Sequence, residues 1–584
     1  MSTTLSGTAA APGAALAPAF VLRADAAGAT PLPATRRGSA DAEVARLEQA
    51  LKAAEQQLRE LAEQVAETAG REEGDIFEAH AEFAADPELA SMARESISDG
   101  ASAERAVSTA FDTFREALAA SSSEYLAARA DDLVDVRDRV VAILQGREVL
   151  VAAPEQRSVI VARELSPSQT ASLPRALIAA LVTETGSPTS HAAILARSLG
   201  IPSVVACEGL LQAVDAAGDG VELAIDGRRG EIVLAPDEQV RREIEERIAE
   251  EGRRRSELES IRQRPGQTAD GHRVELAANI GSPQDLPPAI EAGAEGSGLV
   301  RTEFLFQERR SAPSVDVQVG FYVEVLRAFP GQRVVFRTMD VGADKPLPFV
   351  ERDPEDNPAL GLRGIRLHLA RPDLLRDQLR ALLRARAAVA DEDAGKLAVM
   401  FPLVATAREL SAAREHLVEV AAEEGIDLDE LEVGAMVEVP SAALGAARIA
   451  EHADFLSIGS NDLLQYLFAV DRLHGGVAEL ANPFEPDALA LFGQVVEAGH
   501  ANGAWVGVCG EAASDPVFAA AMVGLGVDEL SMTRVAIPEV KDALGRVELE
   551  TCREAVRAAL AEGTDATSVR QLLEDGLASA TAED

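Results

Sequence analysis

The chain has 584 residues, 47% of them hydrophobic, and a formal net charge of −42 at pH 7. That length supports several domains with sizeable cores, and that charge excludes nucleic acid and anionic membrane as partners while favouring a basic protein. No apolar run approaches the roughly 20 residues that cross a bilayer. The Ala-rich N-terminus lacks a basic leader region, and Cys207, Cys509 and Cys552 are too scattered for a disulfide framework, all as expected of a cytoplasmic protein without membrane insertion.

Residues 1–22 read as a short strand with Pro and Gly turns. From Asp41, a candidate helix cap, Val44, Leu47, Leu51, Ala54, Leu58, Leu61 and Val65 step by three and four, which makes one apolar helical stripe. Helical patterns continue to about Gly146 and predict about four helices in two hairpins. Between about 150 and 235, SVIVARE, ALIAALVTE and PSVVACE predict strands, and ELAIDGRRGEIVLAP predicts a hairpin turning near Asp226-Gly227. The helical block is therefore expected as an insertion in a small α/β domain. The expected limits are 1–22 and 147–235 for the α/β domain and 23–146 for the insert. A charged linker helix follows at 236–265, a barrel at 266–575 and a tail at 576–584.

Inside the α/β segment, His191 stands at a loop-to-helix junction behind Gly186, Pro188, Thr189 and Ser190. A helix N-terminus suits an anion, and neutral imidazole is a competent nucleophile, so a phosphoryl group on His191 would sit in a favourable field. The plainer alternative is a histidine that only starts a helix.

After residue 270 a strand-then-helix rhythm repeats eight times. The apolar runs are 274–281, 296–304, 333–342, 397–406, 432–440, 453–462, 504–511 and 527–533. Eight such units predict a (β/α)8 barrel, whose chemistry sits at the C-terminal strand ends. Those ends are polar: Arg301-Thr302-Glu303, Arg337-Thr338-Met339-Asp340 with Asp344-Lys345 behind, Glu438, Ser460-Asn461-Asp462, and Cys509-Gly510-Glu511. Arg363 and Arg366 lie in one insertion and Arg472 in another. Arg301, Arg337, Arg363, Arg472 and Lys345 could converge on one anion, or each could pair with an acid such as Glu303 or Asp340. Glu438 and Asp462 end adjacent strands and could hold Mg2+ or act as an acid/base pair. Cys509 could be a buried structural thiol or a proton donor.

Taken together, the motifs resemble the phosphoenolpyruvate–protein phosphotransferases, enzyme I of the bacterial sugar phosphotransferase system, over essentially the whole chain. They are SGTAAAPG, IFEAH (76–80), ELSPSQTASL (164–173), GSPTSHAAILARSLGIPSVV (186–205), GLVRTEFLF, FRTMDVGADKPLP, NPALGLRGIR, MFPLVAT, GAMVEVPSAAL, FLSIGSNDLLQYLFAVDR and VGVCGEAASDP. The resemblance implies an α/β multidomain protein with a swivelling phosphohistidine domain and a C-terminal TIM barrel. It implies that His191 is phosphorylated on Nε2 and that Cys509 protonates the enolate. Arg301, Arg337, Asn461 and Arg472 become phosphoenolpyruvate ligands, with Arg363 a further contact, and Glu438 and Asp462 become Mg2+ ligands. The helical insert becomes the docking site for the phosphocarrier protein HPr, and the barrel becomes a homodimer interface. Transfer first to HPr and then onward would serve sugar uptake. Hinges are expected near residues 146–150 and 236–266. A dikinase or phosphoenolpyruvate synthase shares the histidine and barrel domains but carries a nucleotide-binding domain ahead of the histidine. A non-catalytic regulator of this fold would be expected to have lost His191, Arg337 or Cys509, and a lyase or aldolase barrel leaves the 186–205 motif without a role.

Overall fold

The computed structural model describes the chain apart from residues 1–2, 23–31, 34, 37, 69–70, 120–131, 148–152, 189, 219, 307–308, 310, 342–346, 348, 351–354, 391–392, 473, 475 and 582–584. The side chains of residues 67–68, 71–73, 75, 119, 191, 198 and 579–581 also lie outside the described part. The expected positions of Asp344, Lys345 and Thr189, and part of the 146–150 hinge, therefore fall outside the described residues. The chain divides into two compact units, Met1–Arg255 and Ser256–Asp584.

In the first unit, residues 1–22 hold three strands rather than one: β1 (Thr3–Ser6), β2 (Thr8–Ala11) and β3 (Ala14–Leu22). Gly7 and the turn at Gly13, whose φ is +128°, break the run. Five described helices follow: α1 (Ala40–Thr68), α2 (Arg71–Ala85), α3 (Pro87–Ser98), α4 (Ala103–Ala119) and α5 (Asp132–Leu144). Asp41 is not the cap of α1. The hydroxyl of Ser39 accepts the Ala42 N–H at 3.2 Å, and Asp41 lies inside the first turn.

The chain then runs β4 (Ser158–Ala162), α6 (Pro167–Ser172), β5 (Ile178–Thr183), α7 (His191–Ser198), β6 (Ser203–Val205), α8 (Leu210–Ala217), β7 (Glu222–Asp226), β8 (Glu231–Leu234) and α9 (Glu238–Ile261). The eight strands form one sheet in the order β1-β8-β7-β3-β4-β5-β6-β2. Its central strands are parallel and covered on both faces, which is why they read as unbroken apolar runs. Alternation sorts their side chains. Ile160, Ala162 and Leu181 pack with the helical insert and α7, whereas Val159, Val161 and Val182 pack with α8.

A charged pin crosses from the insert to the helix α6 that follows β4. Buried His80 of α2 lies between Asp132, at 3.4 Å, and Asp135, at 3.6 Å. Burial works against its protonation, but the two carboxylates outweigh it and raise its pKa. Asp135 also accepts the Ser166 hydroxyl at 2.8 Å, and Ser166 caps α6.

The second unit is a closed parallel barrel of eight strands, as expected. They are β9 (Glu275–Ile280), β10 (Gly296–Val300), β11 (Arg333–Arg337), β12 (Lys396–Phe401), β13 (Glu432–Val437), β14 (Phe455–Ile458), β15 (Trp505–Val508) and β16 (Glu529–Met532). Residues 576–581, expected in a tail, are instead the last part of a helix, Ala566–Thr581. Leu573 is buried in the barrel core, Leu572 and Leu577 pack against it, and Gly576 passes so close to Ala555 that a Cβ would meet it at 2.9 Å.

At the N-terminal end of the strands, the carboxyl of Glu529 is buried and neither oxygen has a hydrogen-bond partner among the described residues. Burial first, and then Glu275, push it up to about 8. Arg333, 4.0 Å away, opposes this, and Glu432 and Asp528 add to it. A folded pKa above the unfolded one stabilises fully only at low pH, and that contribution fades as pH rises through about 8. The wild-type Tm should therefore fall by several degrees between pH 5.5 and 8.5. Glu529→Gln should flatten that slope in thermal melts followed by circular dichroism; an unchanged slope would refute the assignment.

Candidate active site

The C-terminal ends of the strands open into a cavity of about 990 Å³. Arg301, Arg337, Arg363, Asn461, Arg472, Glu438, Asp462 and Cys509 all line it, together with Glu303 and Asp340. Arg366 does not; its guanidinium holds the backbone carbonyl of Leu360 at 3.0 Å. These eight site residues expected in the barrel thus line one cavity, whereas Lys345 lies outside the described residues.

The arginines and acids interlock. Arg337 lies 3.2 Å from Glu303 and 3.4 Å from Asp340. Arg363 bridges Asp340, at 2.7 Å, and Asp462, at 3.0 Å, and donates to the Tyr466 hydroxyl at 3.1 Å. Arg472 reaches Asp462 at 3.2 Å. Both readings of the arginines therefore hold at once: they converge, and they are paired. Arg301 differs, being exposed with no ion pair among the described residues. Burial disfavours charge on Arg337 and on Asp340, but the pairing outweighs it. Glu303 and then Asp340 raise the Arg337 pKa, while Arg337 and Arg363 lower that of Asp340.

Backbone geometry aims the acids. Glu438 follows β13 and accepts the Leu403 N–H at 2.6 Å. Leu403 is buried and left-handed, with φ of +55°, an uncommon conformation for a residue with a branched side chain. Gly364 packs on it with φ of +52°, where a Cβ would meet Leu403 at 2.8 Å. Asp462 is not at a strand end, as the sequence suggested. It lies in the first turn of the helix Ser460–Leu467, because β14 stops at Ile458. That turn also carries Asn461, whose side-chain oxygen accepts the Glu511 N–H at 3.0 Å.

Asp340, Glu438 and Asp462 each bring a carboxylate oxygen within 4.8 Å of the others, and all three are buried. Burial, then Asp462 and Asp340, push Glu438 up to about 8. Three crowded hard oxygens of this kind fit a divalent cation. Sequence reasoning had taken Asp340 only as an arginine partner and had not singled out Tyr466. A signal for Tyr466 was present: it stands four residues after Asp462, on the same helix face. Cys509 is buried, its Sγ 3.8 Å from the Ile458 carbonyl oxygen, and burial chiefly pushes the thiol up to about 11, so it carries its proton at neutral pH.

In the first unit, His191 is the first residue of α7, and the Ser190 hydroxyl caps the helix on Ala193 N–H at 3.3 Å. Arg197 donates to the carbonyls of Ala10, at 3.0 Å, and Pro188, at 3.2 Å, which ties the preceding loop to the β2 strand and to its own helix. The imidazole of His191 is outside the described part.

Family models for PEP-utilising enzymes match the chain in three parts: the N-terminal domain at 6–129, the mobile domain at 154–230 and the PEP-binding domain at 255–549. The phosphoenolpyruvate-protein phosphotransferase of Haloferax volcanii is 43% identical over 527 residues, covering 89% of this chain and 90% of that one. Its counterpart in Streptomyces coelicolor is 46% identical over 495 residues, covering 84% and 85%. That of Bacillus subtilis is 39% identical over 526 residues, covering 88% and 90%. The chain belongs to the phosphoenolpyruvate-protein phosphotransferase family, and is a transferase of that class. Among the described residues no helix is long and apolar enough to cross a membrane.

The carboxylate trio makes a direct forecast. Asp462→Asn and Glu438→Gln should each weaken binding of Mn2+, a probe for the site, by at least about tenfold, since one anionic ligand is lost. Calorimetric titration of the full chain without substrate would read this, and wild-type affinity in both variants would rule the site out.

Proposed function

We propose that the chain moves a phosphoryl group from phosphoenolpyruvate to Nε2 of His191 and then to a histidine of HPr, releasing pyruvate. The observation that carries this reading is the convergence of four arginines, three buried carboxylates and a protonated thiol at the mouth of the barrel.

In this reading Arg301, Arg337, Asn461 and Arg472 bind phosphoenolpyruvate, and Arg363 holds their acidic partners in place. Arg301, free of ion pairs among the described residues, is the cation readiest to meet the phosphate. The other three arginines are already matched by Glu303, Asp340 and Asp462. A multiply charged anion would therefore enter a cavity whose positive charge is largely spent, and an accompanying cation would restore the balance. Glu438 and Asp462 would hold Mg2+, with Asp340 beside them. When bound, that ion would neutralise charge on the phosphate and the departing enolate oxygen.

The neutral His191 imidazole attacks phosphorus in line as the P–O bond to the enolate breaks. The Cys509 thiol gives its proton to the methylene carbon, yielding pyruvate, and regains a proton from solvent. The gain from enol to ketone draws the step forward. His191 must serve both the barrel and the helical insert, so the α/β domain, 1–22 with 147–235, swivels about hinges near 146–150 and 236–266. The same reading places the protein in the cytoplasm, with a homodimer formed through the barrel.

Incubation of the full chain with labelled phosphoenolpyruvate and Mg2+ tests the claim. Acid-labile, base-stable label should form on the wild type and be absent from His191→Ala, and equal labelling of the two would overturn it. Steering of a basic carrier by so acidic a chain should also show in kinetics: transfer to HPr should slow several-fold between about 50 and 500 mM salt. A flat salt profile in stopped-flow transfer would count against docking on the acidic insert.

A further inference from the structure

Arg337 and Asp340 lie at the heart of the proposed site, and the backbone between them is bound at every position. Thr338 N–H reaches the Met400 carbonyl at 2.9 Å, Met339 N–H the side-chain oxygen of Gln378 at 2.9 Å, and Asp340 N–H the Glu303 carboxylate at 2.8 Å. The Arg337 carbonyl accepts the Thr302 hydroxyl at 3.0 Å. Of these partners only Gln378 comes from outside the strand ends. It sits on the outer-ring helix Pro372–Ala388 and is 1% exposed.

Its amide is fully used. The oxygen accepts from Met339, and the nitrogen donates to the Thr302 hydroxyl at 3.0 Å and to the Tyr322 hydroxyl at 3.1 Å. Tyr322 then donates to Gln318, also at 3.1 Å, whose amide nitrogen holds the Pro313 carbonyl at 3.2 Å. Each link has one donor and one acceptor, so the chain has a single direction. Gln378 therefore grips the Arg337–Asp340 segment on both sides of Thr338: directly at Met339, and through Thr302 at the Arg337 carbonyl.

We propose that Gln378 is a positioning residue for phosphoryl transfer, fixing from the outer helix ring where the Arg337 guanidinium and the Asp340 carboxylate stand. The proposal rests on the reading of Arg337 as a substrate ligand. A leucine at 378 would leave Met339 N–H buried without a partner and Thr302 without its donor, and the segment would shift to find others. Displacements of about 1 Å at a reacting site can cost on the order of a hundredfold in rate.

Single-turnover pyruvate release by the full chain, with phosphoenolpyruvate and Mg2+ varied to saturation, is the measurement. Gln378→Leu should lose ten- to a hundredfold at saturation and raise the half-saturating phosphoenolpyruvate concentration several-fold. Gln318→Leu, which breaks the same chain at its far end, should match it in lowered Tm but stay within about threefold of the wild-type rate. Gln378→Glu supplies a second readout. In its protonated form the acid can accept from Met339 and donate to Thr302, so its rate relative to wild type should recover as pH falls from 8 to 6. Equal rates for the two leucine variants, wild-type kinetics in Gln378→Leu, or a pH-independent ratio for Gln378→Glu would overturn the proposal. If Gln378→Leu does not fold, the Gln378→Glu profile decides. Arg337→Ala separates the two levels: if it keeps wild-type turnover, the site reading itself fails, whereas its loss alongside an unaffected Gln378→Leu refutes only the positioning role.

Discussion

Sharing of carboxylates among arginines at the barrel mouth is the constraint on which the site depends. Asp340 serves Arg337 and Arg363, and Asp462 serves Arg363 and Arg472. Four of these five groups, Asp340, Asp462, Arg363 and Arg337, are largely enclosed, so each would be costly to leave unpaired. The set is therefore coupled: no member can turn toward a ligand without another losing one of its partners. That cost keeps the dipoles oriented before any substrate arrives, which is what electrostatic catalysis requires. It also explains why the crowded acids, not the arginines, set the demand for a further cation. Glu438, buried and crowded by Asp462 and Asp340, answers by holding a proton.

A second constraint shapes the His191 region. The small sheet is covered on both faces, and its central strands divide their side chains between them. The face carrying α7 is also the face against which the helical insert packs. The insert also holds the α/β domain in place. Through His80, Asp135 and Ser166 it grips α6, which packs beside α7. A charged and hydrogen-bonded link of this kind, unlike apolar contact, fixes direction as well as distance.

Much of this could be read directly from the chain. Parallel strands buried on both faces appear as apolar runs, and the barrel places chemistry at their ends, so Arg301, Arg337, Glu438, Asn461 and Cys509 stood out at once. What stayed hidden depended on distance along the chain. Asp340 looked like an arginine partner only, because Glu438 and Asp462, the carboxylates it meets, lie about a hundred residues further along the chain. The three N-terminal strands looked like one because alanine-rich segments have little strand preference, and their pairing comes from remote neighbours, β1 with β8 and β2 with β6. The cap of α1 was misplaced by two residues, since Ser39 and Asp41 are both good caps and only the backbone decides between them. The end of the final helix looked like a tail because Leu572, Leu573 and Leu577 meet their apolar partners only in the folded barrel.

The precision of the site comes from a feature that no run of residues displays. In a parallel barrel the ladder of backbone hydrogen bonds ends at the last strand residues, leaving N–H and C=O groups exposed where side chains must be placed. Here neighbouring strand ends take up those groups. Thr302 after β10 holds the Arg337 carbonyl, and Glu303 holds Asp340 N–H. Leu403 after β12 donates to Glu438 after β13. Glu511 after β15 donates to Asn461 after β14, and, reaching past β16, Asn279 of β9 donates to the Cys509 carbonyl at 3.3 Å. Arg337, Asp340, Glu438 and Asn461 are thus each located by the backbone of an adjacent strand end or by a side chain on it. Moving one strand end moves the next, so the geometry belongs to the ring as a whole. Left-handed Leu403 shows the consequence: the ring's demand for one N–H at one place outweighs the local preference of the residue that supplies it.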